Sequence, residues 1–397
     1  MKTTLIPLAI SCLSILGPSS LAGPLFESKV IDAEIDIGYG IALEDMDGDG
    51  DKDVILADKN DFVWYENPSW LKHLLAHKVT ERDHVCLAAR DLDADGRAEI
   101  AVGAGWNPGN TIDSGSVHYL NRPAGQDSVW ELEALPYEPT VHRMHWLRDS
   151  LGDYFLVVVP LHGRSNVGGR GDGVRTLGYR FPESVRGPWT TELISNSLHL
   201  SHNADPVQWD ADGAEELLIA GSEGVMLCDY RNGTWRERKL IGKDKGHADF
   251  VGAGEVRYGE LDQQLSLIAT VEPLHGNQAV VYTSNDRFNS ERVWSRHVLT
   301  DSLRHGHALA CGDFLGQGFD QVVVGWRMPD ESGKVGIRLY WNPDGQGEAW
   351  RSTFIDDNEM ACEDLRAADM DGDGKLDIVA AGRATKNLKL YLNRSSL

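Results

Sequence analysis

The stretch "LEDMDGDGDKDVILA", residues 43–57, places an acidic, glycine-rich turn between two apolar runs. Asp45, Asp47, Asp49 and Asp53 occupy positions 1, 3, 5 and 9 of the turn, with Gly50 at position 6. The pattern returns in "AARDLDADGRAEIAVG" (88–103), with Asp91, Asp93, Asp95 and Glu99. It returns again in "AADMDGDGKLDIVAAG" (367–382), with Asp369, Asp371, Asp373 and Asp377. Fainter echoes are "MHWLRDSLGDYFLVVV" (144–159), "VQWDADGAEELLIAG" (207–221), "VRYGELDQQLSLIATV" (256–271) and "ALACGDFLGQGFDQVVVG" (308–325). That makes seven copies across the chain. Repeats at periods near 50 residues predict a propeller or an array.

Every copy follows one grammar. An apolar strand enters the acidic turn and a Val/Ile/Leu-rich strand leaves it. A third strand follows, such as "FVWYEN", "SVHYLN", "GIRLYWN" or "LKLYLN". A fourth segment opens with an aromatic residue: Trp70, Trp130, Trp189, Trp235, Trp294 or Trp350. Four antiparallel strands per unit make the blade of a β-propeller. The last copy stops at its third strand, and "LFESKVIDAEID" (25–36) matches the fourth-strand segments "WSRHVLTDSL" and "WRSTFIDDNE". The expected fold is therefore all-β, a seven-bladed propeller of four-stranded antiparallel blades. The N-terminal strand should complete the last blade, which removes a free sheet edge.

Residues 1–22 read as a signal peptide, with Lys2 before an apolar run and small residues Ser20 and Ala22 before the cut. The propeller is expected over 23–397, in a secreted or periplasmic protein with no membrane span. The formal charge of −23 argues against nucleic acid, which needs a basic face. Cys86, Cys228, Cys311 and Cys362 are scattered without a CxxC pair, so the chain is not a disulfide scaffold. Sequence leaves the oligomeric state open.

Alternating carboxylates on a tight glycine turn present hard oxygens to one point, which suits Ca²⁺. Three structural calcium sites are expected, at Asp45/Asp47/Asp49/Asp53, Asp91/Asp93/Asp95/Glu99 and Asp369/Asp371/Asp373/Asp377. The turns "DADGAEE", "DFLGQGFD", "DSLGD" and "ELDQQ" have incomplete ligand sets and are expected empty. The motif "DxDGDGxxD" resembles the FG-GAP or VCBS repeat of seven-bladed propellers. That resemblance implies the fold and leaves the function open.

The fourteen histidines point to function. His84, His142, His145, His199, His202, His247, His305 and His307 fall within or just before first strands. His162 and His275 fall on turns between second and third strands, in two similar "PLHG" segments. In a propeller both places lie on the face opposite the acidic turns, around the mouth of the central channel. Imidazoles there supply metal ligands and proton-transfer groups. Three converging on one point suit Zn²⁺ or a similar divalent metal with an open coordination position. His202, His275 and His307 are the expected ligands, chosen by face alone.

The stretches "EPTVHRMHW", "VVVPLHGR" and "SHNADPVQWD" resemble the propeller portion of aldos-2-ulose dehydratase, and more distantly propeller-type polysaccharide lyases. The resemblance implies β-elimination on a keto-sugar or uronate, with a carbohydrate as ligand. The candidate catalytic residues are His142 or His145 as base, Tyr179 as alternative base or acid, and Arg143 or Arg164 as anion stabiliser, with His162 beside them. The rival reading is a non-catalytic carbohydrate- or protein-binding propeller, with Trp106 and Trp326 as aromatic platforms.

Overall fold

The structure, a computed structural model, describes residues 26–123, 130–182, 187–210 and 212–395. The expected signal peptide lies outside them. Among the described residues 28 strands, β1–β28 in chain order, form seven four-stranded antiparallel sheets, and the only helices are two single 3₁₀ turns. Blades 1 to 6 are β2–β5 (40–77), β6–β9 (86–135), β10–β13 (141–195), β14–β17 (201–241), β18–β21 (255–300) and β22–β25 (306–357). Blade 7 takes β26–β28 (362–393) from the C-terminal end and β1 (Phe26–Asp32) from the N-terminal end. Phe26 pairs with Asn393 and Lys29 with Leu390, which closes the disc as expected from sequence. Asp58 fastens the chain after this clasp, its carboxylate accepting the N–H groups of Asp36, Ile37 and Gly38 at 2.7–3.0 Å.

Why these segments form these layers follows from their side chains. Second strands such as Asp53–Ala57 (DVILA), Glu216–Gly221 and Asp377–Gly382 are buried along their whole length. They sit mid-blade, with a neighbouring blade over each face, so both faces are apolar. The core is a ring of inter-blade seams. Leu43, Val54, Leu56 and Val63 of blade 1, for instance, pack on Val379, Ala381, Leu388 and Leu390 of blade 7. Each such Val or Leu side chain contributes roughly 1.5–3 kcal/mol by burial.

The first strands touch one another in a closed circle, each packing on the first strand of the next blade, and they line the central channel. They are β2 (Gly40–Glu44), β6 (Cys86–Arg90), β10 (Val141–Arg148), β14 (Ser201–Val207), β18 (Glu255–Glu260), β22 (Gly306–Gly312) and β26 (Cys362–Ala368). Four of the seven carry a β-bulge at their entry. The register shifts between Val141 and Arg143, Ser201 and Ala204, Gly306 and Ala308, and Cys362 and Asp364. First strands of blades 1, 2 and 5 pair without a shift. The four cysteines of the propeller are free thiols, three of them fully buried.

Candidate functional site

A bulge adds one residue and re-aims its side chain. The residues inside the four shifts are His142, His202 with Asn203, His307 and Glu363. The bulges thus turn three imidazoles and one carboxylate toward the channel mouth, and the 273–277 turn of blade 5 adds His275. Ring centroids run 4.5 Å from His142 to His202, 4.2 Å from His202 to His275, and 4.5 Å from His275 to His307. His305 lies 5.8 Å from His275.

The rings are held in one tautomer by their neighbours. His142 Nδ1 meets the His202 carbonyl at 2.8 Å, His202 Nδ1 the Gly254 carbonyl at 2.9 Å, and His307 Nδ1 the Glu363 carbonyl at 2.5 Å. A carbonyl only accepts, so each Nδ1 carries the proton and each Nε2 keeps its lone pair. Each ring therefore donates to the entry of the next blade. Burial, reinforced by Arg143, Arg327 and the other imidazoles, holds the pKa values of His142, His202, His275 and His307 below the ordinary imidazole range. They are neutral, the form that binds metal.

One nitrogen from each of His202, His275 and His307 lies within 4.8 Å of the others, and the Nε2 atoms of His202 and His275 are in direct contact. That contact takes either a proton on His275 Nε2 or a cation between the two nitrogens, since two lone pairs face to face repel. Nitrogens around a tetrahedral zinc stand about 3.3 Å apart. The donor type, the neutral state and the carbonyls behind two of the rings all fit such an ion.

The circle continues through the other blades. Glu363, 2 % exposed, accepts from Arg327 at 2.6 Å and from Arg383 at 2.8 Å. Arg383 lies over the Tyr39 ring, and Tyr39 donates to Asp83 at 2.8 Å. Trp106 stacks on His142 with centroids 4.9 Å apart. Below this rim lies a charged layer: buried Arg143, Arg257, Glu255 and Asp364 with half-buried Arg366 and Asp205. Arg366 donates to Asp364 at 2.7 Å and Asn203 to Glu255 at 2.5 Å. Arg143, 4 % exposed, makes no ion pair among the described residues and donates to His142, to its carbonyl at 3.0 Å and its Nε2 at 3.3 Å.

The other sequence-expected residues fall elsewhere. Tyr179 lies in the seam between blades 2 and 3, its hydroxyl donating to the Pro136 carbonyl at 2.6 Å. It is a core residue, far from any reacting group the funnel would hold. Arg164 is a surface residue bound to the Ile112 carbonyl and Glu138. His145 sits below the imidazoles, lining a cavity of about 270 Å³ with Arg366 and the first strands of blades 7, 1 and 2. His162 bridges to Leu200 at the edge of blade 3. His84 stacks on Phe62, His199 pairs with Glu223, and His247 packs edge-on to Tyr282, so these three are outside the cluster. Trp326 is buried with its N–H on the Lys334 carbonyl, which removes it as a platform. Tyr39 and, apart from Arg143, the charged layer were missed. Their one signal was charge alternating inside apolar strands, as in "GEVRYGE" and "CEDLRAA".

On the opposite face the acidic turns gather carboxylates. Groups within 4.8 Å are Asp45/Asp47/Asp53, Asp91/Asp93/Glu99 and Asp369/Asp371/Asp377. The fifth-position residues stand outside these groups, with Asp49, Asp95 and Asp373 each capping a backbone N–H two residues on. Burial, with neighbouring carboxylates adding, pushes Asp53 and Glu99 up to about 7 and Asp377 to about 6. Such mutual repulsion is what a cation relieves, so hard oxygens here fit Ca²⁺. Blade 4 departs from expectation, because Asp210, Asp212 and Glu216 form a fourth group of the same kind. There the Arg231 guanidinium contacts both Asp210 and Asp229.

Residues 114–285 match the family model of the aldos-2-ulose dehydratase β-propeller domain, and residues 45–102 and 313–380 match that of the FG-GAP-like repeat. The first span holds His142, Arg143, His202 and His275; the second pair holds the three carboxylate turns predicted from sequence. No curated protein matches the chain. Among solved structures, a chain of the Mitotic Checkpoint Complex is 13 % identical, with full coverage of both chains and a TM-score of 0.56. BBS1N, in complex with ARL6DN, is 13 % identical over 94 % of this chain and 98 % of its own, at 0.56. The Cps50 (Swd1) β-propeller domain of Myceliophteria thermophila is 9 % identical over 92 % and 99 %, at 0.53. At these identities the likeness is one of fold.

Proposed function

We propose that this chain is an exported, carbohydrate-active propeller that performs β-elimination on a keto-sugar or uronate at the imidazole funnel. The observation that carries the reading is the meeting of His202, His275 and His307 beside Arg143, a buried cation hydrogen-bonded to His142. A proton next to the carbonyl leaves carbon, a C=C bond forms, and the C–O bond two carbons from the carbonyl breaks, so the leaving hydroxide or alkoxide takes up a proton and departs as water or as the released alcohol. Burial and Arg143 keep His142 neutral, and its Nε2 lone pair accepts the proton once the Arg143 N–H that it holds at 3.3 Å turns to the enolate oxygen. Arg143 supplies N–H donors where negative charge develops on the enolate oxygen, in a dry site where such donors act strongly. His202, His275 and His307 would hold a zinc ion, whose chemistry when bound is to polarise the carbonyl. The calcium turns are structural, and export rests on residues 1–22.

The test is to incubate purified protein with keto-sugars and with uronate polysaccharides, and to follow ultraviolet absorbance of the unsaturated carbonyl, with and without chelator. Absorbance that grows with one class and stops on chelation supports the reading. A flat trace across the panel, with no transition metal in elemental analysis, sinks it. The second reading, a non-catalytic carbohydrate-binding propeller, has one observation behind it: the half-buried Trp106 ring lies at the funnel rim, stacked on His142. It predicts sugar binding that Trp106→Ala abolishes, without turnover.

A further inference from the structure

Behind the imidazoles sits one carboxylate oxygen with nothing to do. Glu255 is 1 % exposed. Its Oε2 accepts the Asn203 amide at 2.5 Å, whereas its Oε1 has no hydrogen-bond partner. That orphaned oxygen lies 3.3 Å from His202 Nδ1, whose N–H is directed at the Gly254 carbonyl. A buried carboxylate oxygen left without a partner is costly. It gains a partner when the neighbouring ring takes on positive character, as it does on binding a cation through Nε2. Carboxylate–histidine–metal arrangements work in this way, fixing the ring and raising its basicity. His307 and His142 are backed by backbone carbonyls, and the carboxylate of Glu363, whose carbonyl meets His307, is committed to Arg327 and Arg383.

The position follows from the strands. Glu255 opens the first strand of blade 5, which pairs without a bulge. Its side chain therefore sits one layer deeper than the bulged imidazoles, under the ring of blade 4. We propose that Glu255 is a positioning residue for the funnel cation, its carboxylate backing the Nδ1–H of His202 and setting that ring's direction and basicity as a ligand. The inference rests on the zinc-binding part of the function proposed above. The competing account is that Glu255 only balances Arg257 and Arg143 in the charged layer.

The experiment is zinc competition against a chromogenic chelator, on full-length protein, comparing wild type with Glu255→Gln. Loss of the carboxylate should weaken zinc about 10–100-fold. The visible spectrum of the cobalt-substituted variant should shift with it. Equal affinities and equal spectra overturn the inference, as does a variant whose metal-free melting temperature falls while its zinc affinity holds. If Glu255→Gln does not fold, Glu255→Asp enters the same assay. It keeps the charge but withdraws it from the ring by about one methylene, and a several-fold loss is expected where unchanged affinity overturns. A wild-type chain that takes up no zinc removes the metal reading itself, an outcome distinct from equal binding by both proteins.

Discussion

The two faces of the disc gather charged groups by opposite means. On the acidic face each cluster comes from one turn of nine residues, such as Asp45/Asp47/Asp53, and the turn nearly repeats from blade to blade. On the funnel face each cluster member comes from a different blade, with no shared spacing: His202, His275 and His307 are supplied by blades 4, 5 and 6. Local clusters need only their own blade. The distributed cluster exists only once the disc has formed, so ligand chemistry there is available to the folded protein alone.

If that division holds, variants on the two faces separate cleanly. The largest effect is expected for His275→Ala. Its ring sits half-buried on a turn, so turnover should fall by about 100-fold or more, with zinc uptake lost and the melting temperature little changed. Kinetic assay beside thermal melting tests it, and a large melting shift would break the division. Asp53→Ala should do the reverse. Asp53 accepts the buried N–H groups of Met46 and Asn67 at 2.7 and 2.8 Å. Losing both should cost about 2–4 kcal/mol in denaturant unfolding, with funnel zinc affinity unchanged.

A third expectation concerns pH. Folding raises the pKa of Asp53 and Glu99 from ordinary carboxylate values to about 7 in the metal-free chain. Between roughly pH 4 and 7 the native state then holds more protons than the unfolded one, so stability falls as pH rises. Melting of the calcium-free protein should drop between pH 5 and 8, and saturating calcium should flatten that slope. A calcium-free protein that grows more stable over this window breaks the assignment. The smallest effect is expected in blade 4. Arg231 is an exposed ion-pair partner, so Arg231→Ala should cost under about 1 kcal/mol. Because its guanidinium already serves Asp210, calcium titration of wild type should end at three ions per chain, and the variant should admit a fourth.

The same contrast explains what the sequence discloses. The acidic turns are legible because their ligands are contiguous and their spacing is fixed by one loop geometry. The seven blades and the N-terminal clasp are legible because Val/Ile/Leu runs and turn residues repeat seven times. Period-two reasoning then fails at the funnel. His142 and His145, three apart, are re-sorted by the bulge at 142, which sends one ring to the mouth and leaves the other below it. His202, His275 and His307 were named for their face, and the structure shows them in contact. Tyr179 was named as an alternative base or acid through the resemblance, and it lies on the third strand of blade 3 with its hydroxyl on the Pro136 carbonyl. The charged layer of Glu255, Arg257, Asp364 and Arg366 stayed hidden because "EVRYGE" looks like a worn copy of the repeat.

The pairing of Phe26 with Asn393 has a consequence for how the molecule is made. Six blades are each contiguous in sequence, so they can assemble hairpin by hairpin as synthesis proceeds. The seventh joins segments from opposite ends of the chain, a contact of very high sequence separation, and such contacts form slowly. The loop-closure penalty rises only with the logarithm of that separation, so the delay is one of rate far more than of final stability. Until the last strand is released, blades 1 and 6 expose the apolar flanks that blade 7 will cover. During that interval the nascent protein is most open to proteases and to aggregation.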